Sequence, residues 1–309
     1  VAVELSLTGE QARLRDAARR LLARHCPPAL LRAHRAHRPA IAGLASELDD
    51  WTDLADAPLV DLCVFLEETG AALAPGPFFA TAALYRPLGG TDDGTVAWVP
   101  AAATGVGVCP RVLDADLVRT VAVVLPGPAV AFVPRAALDE VLAPLEPAGA
   151  ADSTRRVFTL RVPDELARSG AGEAIDPARL VAVAQRAAVA LAAELLGTCR
   201  WLLAWARRHV GDPRLGDLAQ AVERAGAAVY AAARSHDAEA PDRAAATHTA
   251  TTTAARAAIL TAHGALRLES ALAPGDEDLH LYVRRACTSA AWLGATAGRP
   301  ERPADLLSA

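Results

Sequence analysis

Near Gly89 the sequence changes its hydrophobic rhythm, and near Pro177 it changes back. Before Gly89, apolar residues recur at helical spacing. Thr8 is followed three residues later by Gln11, a reciprocal capping pattern. Leu14, Ala17, Ala18, Leu21 and Leu22 then mark one helical face. "IAGLASELDDWTDLAD" and "LVDLCVFLEETGAALA" predict two further helices, the latter ended by Gly70, Pro75 and Pro77. Between Gly89 and Val162 stand short β-branched runs, "TVAWV", "TVAVVL", "AVAFVP" and "RRVFTLRV". Turn residues separate them, which predicts a small all-β lobe. From Pro177 onward four long, alanine-rich, arginine-dotted segments predict a helical bundle, because alanine permits close helix approach. The expected fold is mainly α with a β insert: an N-terminal helical domain over 1–87, a middle β domain over 88–165 and a C-terminal four-helix bundle over 166–309. The tail "GRPERPADLLSA" is expected to be an exposed terminus.

Charge and composition exclude several function classes. A net charge of −5 leaves no electrostatic footprint for nucleic acid. All positive charge is arginine, and lysine and methionine are absent, a composition that fits GC-rich codon usage. Cys26, Cys63, Cys109, Cys199 and Cys287 form no CxxC motif and read as buried free thiols of a reducing compartment. The opening residues lack the basic and apolar regions of a signal peptide. No apolar run reads as a membrane span, so a cytoplasmic protein with no membrane partner is expected.

The order helix, β, helix resembles the acyl-CoA dehydrogenase family, and local motifs agree. "LTGEQARLRDAARRLLA" looks like the family's opening helix, and "LVDLCVFLEETGAALAPGPFFATAAL" is similar to its E-E-L-G and P-F segment. "DSTRRVFTLRVP" resembles the end of the family's β domain. "HLYVRRA" resembles the last bundle helix of actinobacterial members that act on bulky acyl-CoA thioesters. The resemblance implies oxidation of an acyl-CoA to its 2,3-enoyl thioester: a glutamate takes the α-proton while FAD accepts the β-hydride. It also implies hydrogen-bond donors at the thioester carbonyl.

Several of the implied parts are missing. The family's two base positions, laid on "RRACTSAAWLGA" and "IDPARL", fall on Leu293 and Ala178, which accept no proton. "RRHVGDPRLGDL" keeps only Arg207 or Arg208 as a partner for the flavin pyrophosphate. Of the family's H-G-G-x-G turn only His263 and Gly264 remain, and Gly264 reads equally as a helix C-cap. The first-lobe V-P-E-x-x-G-G loop and the β-domain T-E-P-x-x-G-S loop have no counterpart. In "DEDLHLYVRRA" the candidate substrate or anion residues are Asp276 and Arg284. The same stretch reads as a charged helix start, or as a metal site from Asp276, Asp278 and His280. His236 and His248 read as surface residues, and the threonines of "TATTTAA" as packing or backbone-bonded. Trp201 and Trp205, one helical turn apart, read as packing or as part of a subunit interface.

The leading expectation is the base-lacking subunit of an FAD-dependent heteromeric acyl-CoA dehydrogenase. A paralogous subunit would then share the cofactor and complete the site for the acyl-CoA substrate. The alternatives are a repurposed non-redox enzyme using Glu269, Asp276 or Glu277, and a ligand-free structural partner. The apolar surplus of "VAVAQRAAVALAAELLG" and "RAAILTAHGALRL" predicts burial against another chain.

Overall fold

Thr8 opens the first helix as its spacing predicts. Its Oγ1 accepts the Gln11 N–H at 3.2 Å, and its own N–H donates to Gln11 Oε1 at 3.1 Å. The computed structural model describes residues 7–36, 41–99, 107–138, 146–148, 151–163, 166, 172–209, 215–272 and 277–296. Helix α1 (Gly9–His25) turns its Ala18 and Leu22 face into the core. The "PALLRAHRA" stretch forms a further helix, α2 (Pro28–Ala36), which the sequence reading does not anticipate. "IAGLASELDDWTDLAD" is not one helix. It divides into α3 (Ala42–Asp49) and a tight turn at Thr52–Ala55.

Helix α4 (Leu59–Ala71) is buried from Leu59 to Gly70 except at Asp61. Pro58 offers its start no capping side chain. The cap comes from Asp237, whose carboxylate accepts the N–H groups of Leu59 at 2.6 Å and Val60 at 3.0 Å. A negative charge there satisfies orphan donors and complements the helix dipole. At its other end α4 crosses α5 (Pro177–His209) through two glycines. A Cβ on Gly70 would lie 1.8 Å from the Glu194 carbonyl oxygen, and one on Gly197 would lie 1.8 Å from that of Glu67. Only glycine permits two backbones to meet so closely.

A single turn at Phe78–Ala80 and a π-turn at Thr81–Tyr85 lead into the β region. Strands β1 (Gly94–Trp98), β3 (Thr120–Leu125), β4 (Ala129–Pro134) and β7 (Glu173–Ala174) make one sheet in the order β1-β3-β4-β7. Strands β2 (Gly107–Leu113), β6 (Val157–Val162) and β5 (Glu146–Pro147) make a second, in the order β2-β6-β5. β1 runs parallel to β3, and every other pair is antiparallel. Strand β3 is buried along its whole length, which matches its unbroken apolar run.

The bundle consists of α5, α6 (Leu215–Asp237), α7 (Arg243–Leu272) and α8 (Glu277–Thr296). One hydrophobic cluster extends from Ala18 in α1 through α4 to Leu293 in α8. A smaller cluster lies within the β region. Contrary to the sequence reading, α5 is long and apolar enough to cross a membrane. Its most apolar stretch is 78% buried inside the protein, so it is a core helix. Thr249, Thr251 and Thr253 each bond the carbonyl four residues back, as expected. All five cysteines are free; four are buried and Cys287 is half-buried.

Candidate functional site

Three parts of the fold meet at four buried charges. Glu194, in the middle of α5, interrupts an otherwise apolar run. Its carboxylate accepts Arg285 Nη1 from α8 at 2.9 Å and Arg155 Nη2 from the segment before β6. Arg285 Nε donates to Asp152 Oδ2 at 2.7 Å, and its Nη2 donates to Thr154 Oγ1 at 2.6 Å. Asp152 Oδ1 in turn accepts the Thr154 N–H at 2.9 Å. Arg285 is 1% exposed, and Arg155, Glu194 and Asp152 are also buried. The Arg155 guanidinium lies near two rings, 5.5 Å from the Phe79 centroid and 5.2 Å from that of Trp292. Two cations and two anions cancel, and burial of ions is tolerated when they are paired and bonded in this way.

Asp114 adjoins the cluster at the end of β2, with a left-handed φ of 49°. Burial pushes its carboxyl up to about 7, against the pull of Arg155. Asp114 Oδ1 and Arg155 Nη1 are both buried without a hydrogen-bond partner. Both residues line a cavity of about 10 Å³ at the junction, together with Thr69, Phe78, Leu113 and Glu194. A second polar node lies in α4. Glu67 accepts Tyr230 Oη at 2.8 Å and is paired with Arg200, and burial raises its carboxyl against both partners.

The residues singled out from the sequence are mostly elsewhere. Arg284 is exposed, and the adjacent Arg285 is the one that turns inward. Asp276 lies outside the described residues. Asp278 pairs with Arg32 at 2.8 Å, while His280 pairs with Glu269 at 3.1 Å. Asp278 and His280 thus serve different partners, and no metal-binding cluster forms among the described residues. Glu269, proposed as an alternative acid or base, is held by His280. The side chain of Glu277 is outside the described residues. Ala178 is exposed in the first turn of α5, and Leu293 is wholly buried in α8, 0% exposed.

Arg207, Arg208 and His263 are exposed on the bundle. The Arg208 guanidinium sits 6.0 Å above Trp201, which stacks on Tyr282 at 3.5 Å. Trp205 is buried and stacks on His209 at 4.3 Å. Gly264 is not a C-cap, since α7 continues past it to Leu272. A Cβ there would come 2.7 Å from Leu218 Cδ1, so its smallness serves the α6–α7 contact. His236 is half-buried rather than on the surface; its Nε2 meets Thr247 Oγ1 at 2.8 Å. The sequence reading overlooked Asp114, Asp152, Arg155, Glu194 and Arg285. A lone acid inside an apolar helix was the available signal for Glu194.

No protein-family model matches the chain, and no curated protein does. Solved structures do match. The ChsE4–ChsE5 complex from Mycobacterium tuberculosis is similar over 95% of each chain, with 17% identity and a TM-score of 0.75. The Tcur3481–Tcur3483 steroid ACAD covers 98% of this chain and 99% of its own, with 20% identity and a TM-score of 0.74. Glutaryl-CoA dehydrogenase from Mycobacterium smegmatis covers 96% of this chain and 95% of its own, with 14% identity and a TM-score of 0.75. The chain therefore has the acyl-CoA dehydrogenase fold. That fold implies a flavin, and the junction of this chain does not fit one. Small-molecule sites need about 300–1,000 Å³, whereas the junction cavity is about 10 Å³ and closed by paired charges.

Proposed function

We propose that this chain is the base-lacking subunit of a heteromeric acyl-CoA dehydrogenase. A paralogous chain in the same assembly supplies the carboxylate, most of the FAD site and the acyl-CoA pocket. The observation that carries this reading is the closed junction. Arg155, Glu194, Arg285 and Asp152 fill it with a charge-neutral cluster. No carboxylate stands at Ala178 or Leu293. A chain with the fold, no carboxylate at the two family base positions and a junction filled by paired charges suits a partner that shapes an interface.

In this reading Arg207, Arg208 and His263 face the shared cofactor from the bundle surface. The similarity to a two-protein complex, ChsE4–ChsE5, is compatible with such pairing. The test is co-expression with each acyl-CoA dehydrogenase-like paralogue of the same genome. Light scattering and a flavin absorbance spectrum are then read. The expected result is a yellow hetero-oligomer that turns over acyl-CoA, while this chain alone, supplied with FAD, turns over none. Robust dye-coupled turnover by the isolated chain refutes the reading, as does a colourless monomer that ignores every paralogue.

One observation favours a second reading, a repurposed non-redox enzyme. Asp114 has a carboxyl near 7 beside a cavity, the tuning expected of a general acid or base. Turnover by the isolated chain without flavin, lost in Asp114→Asn, would favour it.

A further inference from the structure

A second cleft, which shares Arg155 with the junction cavity, lies between α2 and the edge where β5 meets β6. Its volume is about 370 Å³. His34 reaches into it from α2 and is 2% exposed. Among the described residues neither His34 ring nitrogen has a hydrogen-bond partner, and neither do Ser153 Oγ and Arg155 Nη1, both of which belong to residues lining the same cleft. Burying an imidazole with both nitrogens unpaired costs stability. An apolar side chain there would avoid that cost. Burial and the neighbouring Arg156 both push the imidazole toward its neutral form.

Asp152 also lines the cleft, its carboxylate already bound by Arg285 Nε and the Thr154 N–H, and the remaining walls are of two kinds. Arg156, half-buried and paired through Nε and Nη2 with Asp116, lines one side. Pro147 and Phe158 give the other side an apolar surface. The orphaned groups supply N–H and O–H donors at one end, and the apolar walls lie beside them. The geometry points to a binding site for a small organic carboxylate, its oxygens accepting from His34, Ser153 and Arg155 and its apolar body lying against Pro147 and Phe158. Such a ligand satisfies orphans that the free protein leaves open, and its head meets guanidinium charge. This site is independent of the proposed assembly and stands or falls without it.

The test uses the full chain and calorimetric titration with hexanoate, hexanamide and inorganic phosphate. Hexanoate is expected to bind saturably at one site, and hexanamide at least about tenfold more weakly, because it lacks the second acceptor oxygen and the charge. His34→Leu is the informative variant. It removes an unpaired buried imidazole, so its thermal midpoint is expected to rise by about 2–4 °C while hexanoate affinity falls at least tenfold. Ser153→Ala should weaken hexanoate without lowering the midpoint, since its hydroxyl is also unpaired. Equal binding of hexanoate and hexanamide overturns the proposal, as does hexanoate binding unaltered by both variants. Absence of saturable hexanoate binding, or phosphate binding more tightly than hexanoate, overturns it too.

Discussion

Replacing Glu194 by Gln tests the closed junction directly. In the native cluster the carboxylate serves two guanidiniums, Arg155 and Arg285, and Asp152 serves the second of them. The amide removes one negative charge, leaves two buried cations against one anion, and turns its NH2 group toward a donor. Glu194 and Arg285 are 5% and 1% exposed at the side chain, so solvent cannot screen the imbalance. Breaking a buried pair in this way costs about 3–5 kcal/mol. The assay is urea denaturation followed by far-ultraviolet circular dichroism, with the midpoint compared at equal slope. Glu194→Leu combined with Arg155→Met should cost less than Glu194→Leu alone, since it removes both charges and leaves Arg285 with Asp152. The coupling should be about 1–3 kcal/mol. A loss below about 1 kcal/mol for Glu194→Gln would mean that water reaches these charges. The junction would then be open, and the argument against a flavin there would fail.

Asp114→Asn probes the same junction through pH. The Asp114 carboxyl is raised from 3.8 to about 7 by burial, so ionisation costs more in the folded state than in the unfolded one. Its contribution to stability is present at low pH and lost as pH rises from about 4 through about 7, by at most about 4 kcal/mol. Urea midpoints at pH 5 and pH 8 should show the variant losing less stability than the wild type on that rise; equal losses would refute the burial argument. Gly197→Ala should destabilise by about 3 kcal/mol or more, because its Cβ would meet a backbone carbonyl at 1.8 Å and the crossing helices must part. A thermal midpoint unchanged in that variant would refute the crossing.

Period and turn chemistry made the architecture legible. β-branched runs between two helical regions mark strands β1, β3, β4 and β6, while β2, interrupted by Pro110 and Arg111, carries no such run; Thr8 with Gln11 marks the start of α1. Local signals failed where partners are distant. Asp237 caps α4 from 178 residues away, and nothing near Pro58 announces it. Of two adjacent arginines, the sequence reading chose Arg284. Helical spacing favours Arg285, which follows Leu281 by four residues and precedes Trp292 by seven, all three buried. Glu194 is visible as a lone acid in α5, but its two guanidinium partners come from α8 and from the segment before β6. That convergence depends on tertiary packing, so no local pattern announces the cluster at the junction.

The apolar surplus of the bundle divides in the same way. The surplus on "VAVAQRAAVALAAELLG" is absorbed within the chain, because α4 lies against α5 where Gly70 and Gly197 bring them together. It therefore says nothing of a partner. The surplus on "RAAILTAHGALRL" is different. Ile259 and Leu260 are 37% and 40% exposed on α7. Two such residues alone are ordinary on a protein surface. Their neighbours matter more, because His263 follows Ile259 by four residues and Leu260 by three, which places all three on one face. Arg256 and Arg267 are exposed one turn to either side. This face joins apolar contact area to positive charge, whereas α5 has little left to offer. In the proposed assembly we therefore expect the partner to dock along α7. Its matching surface should be apolar with acidic flanks.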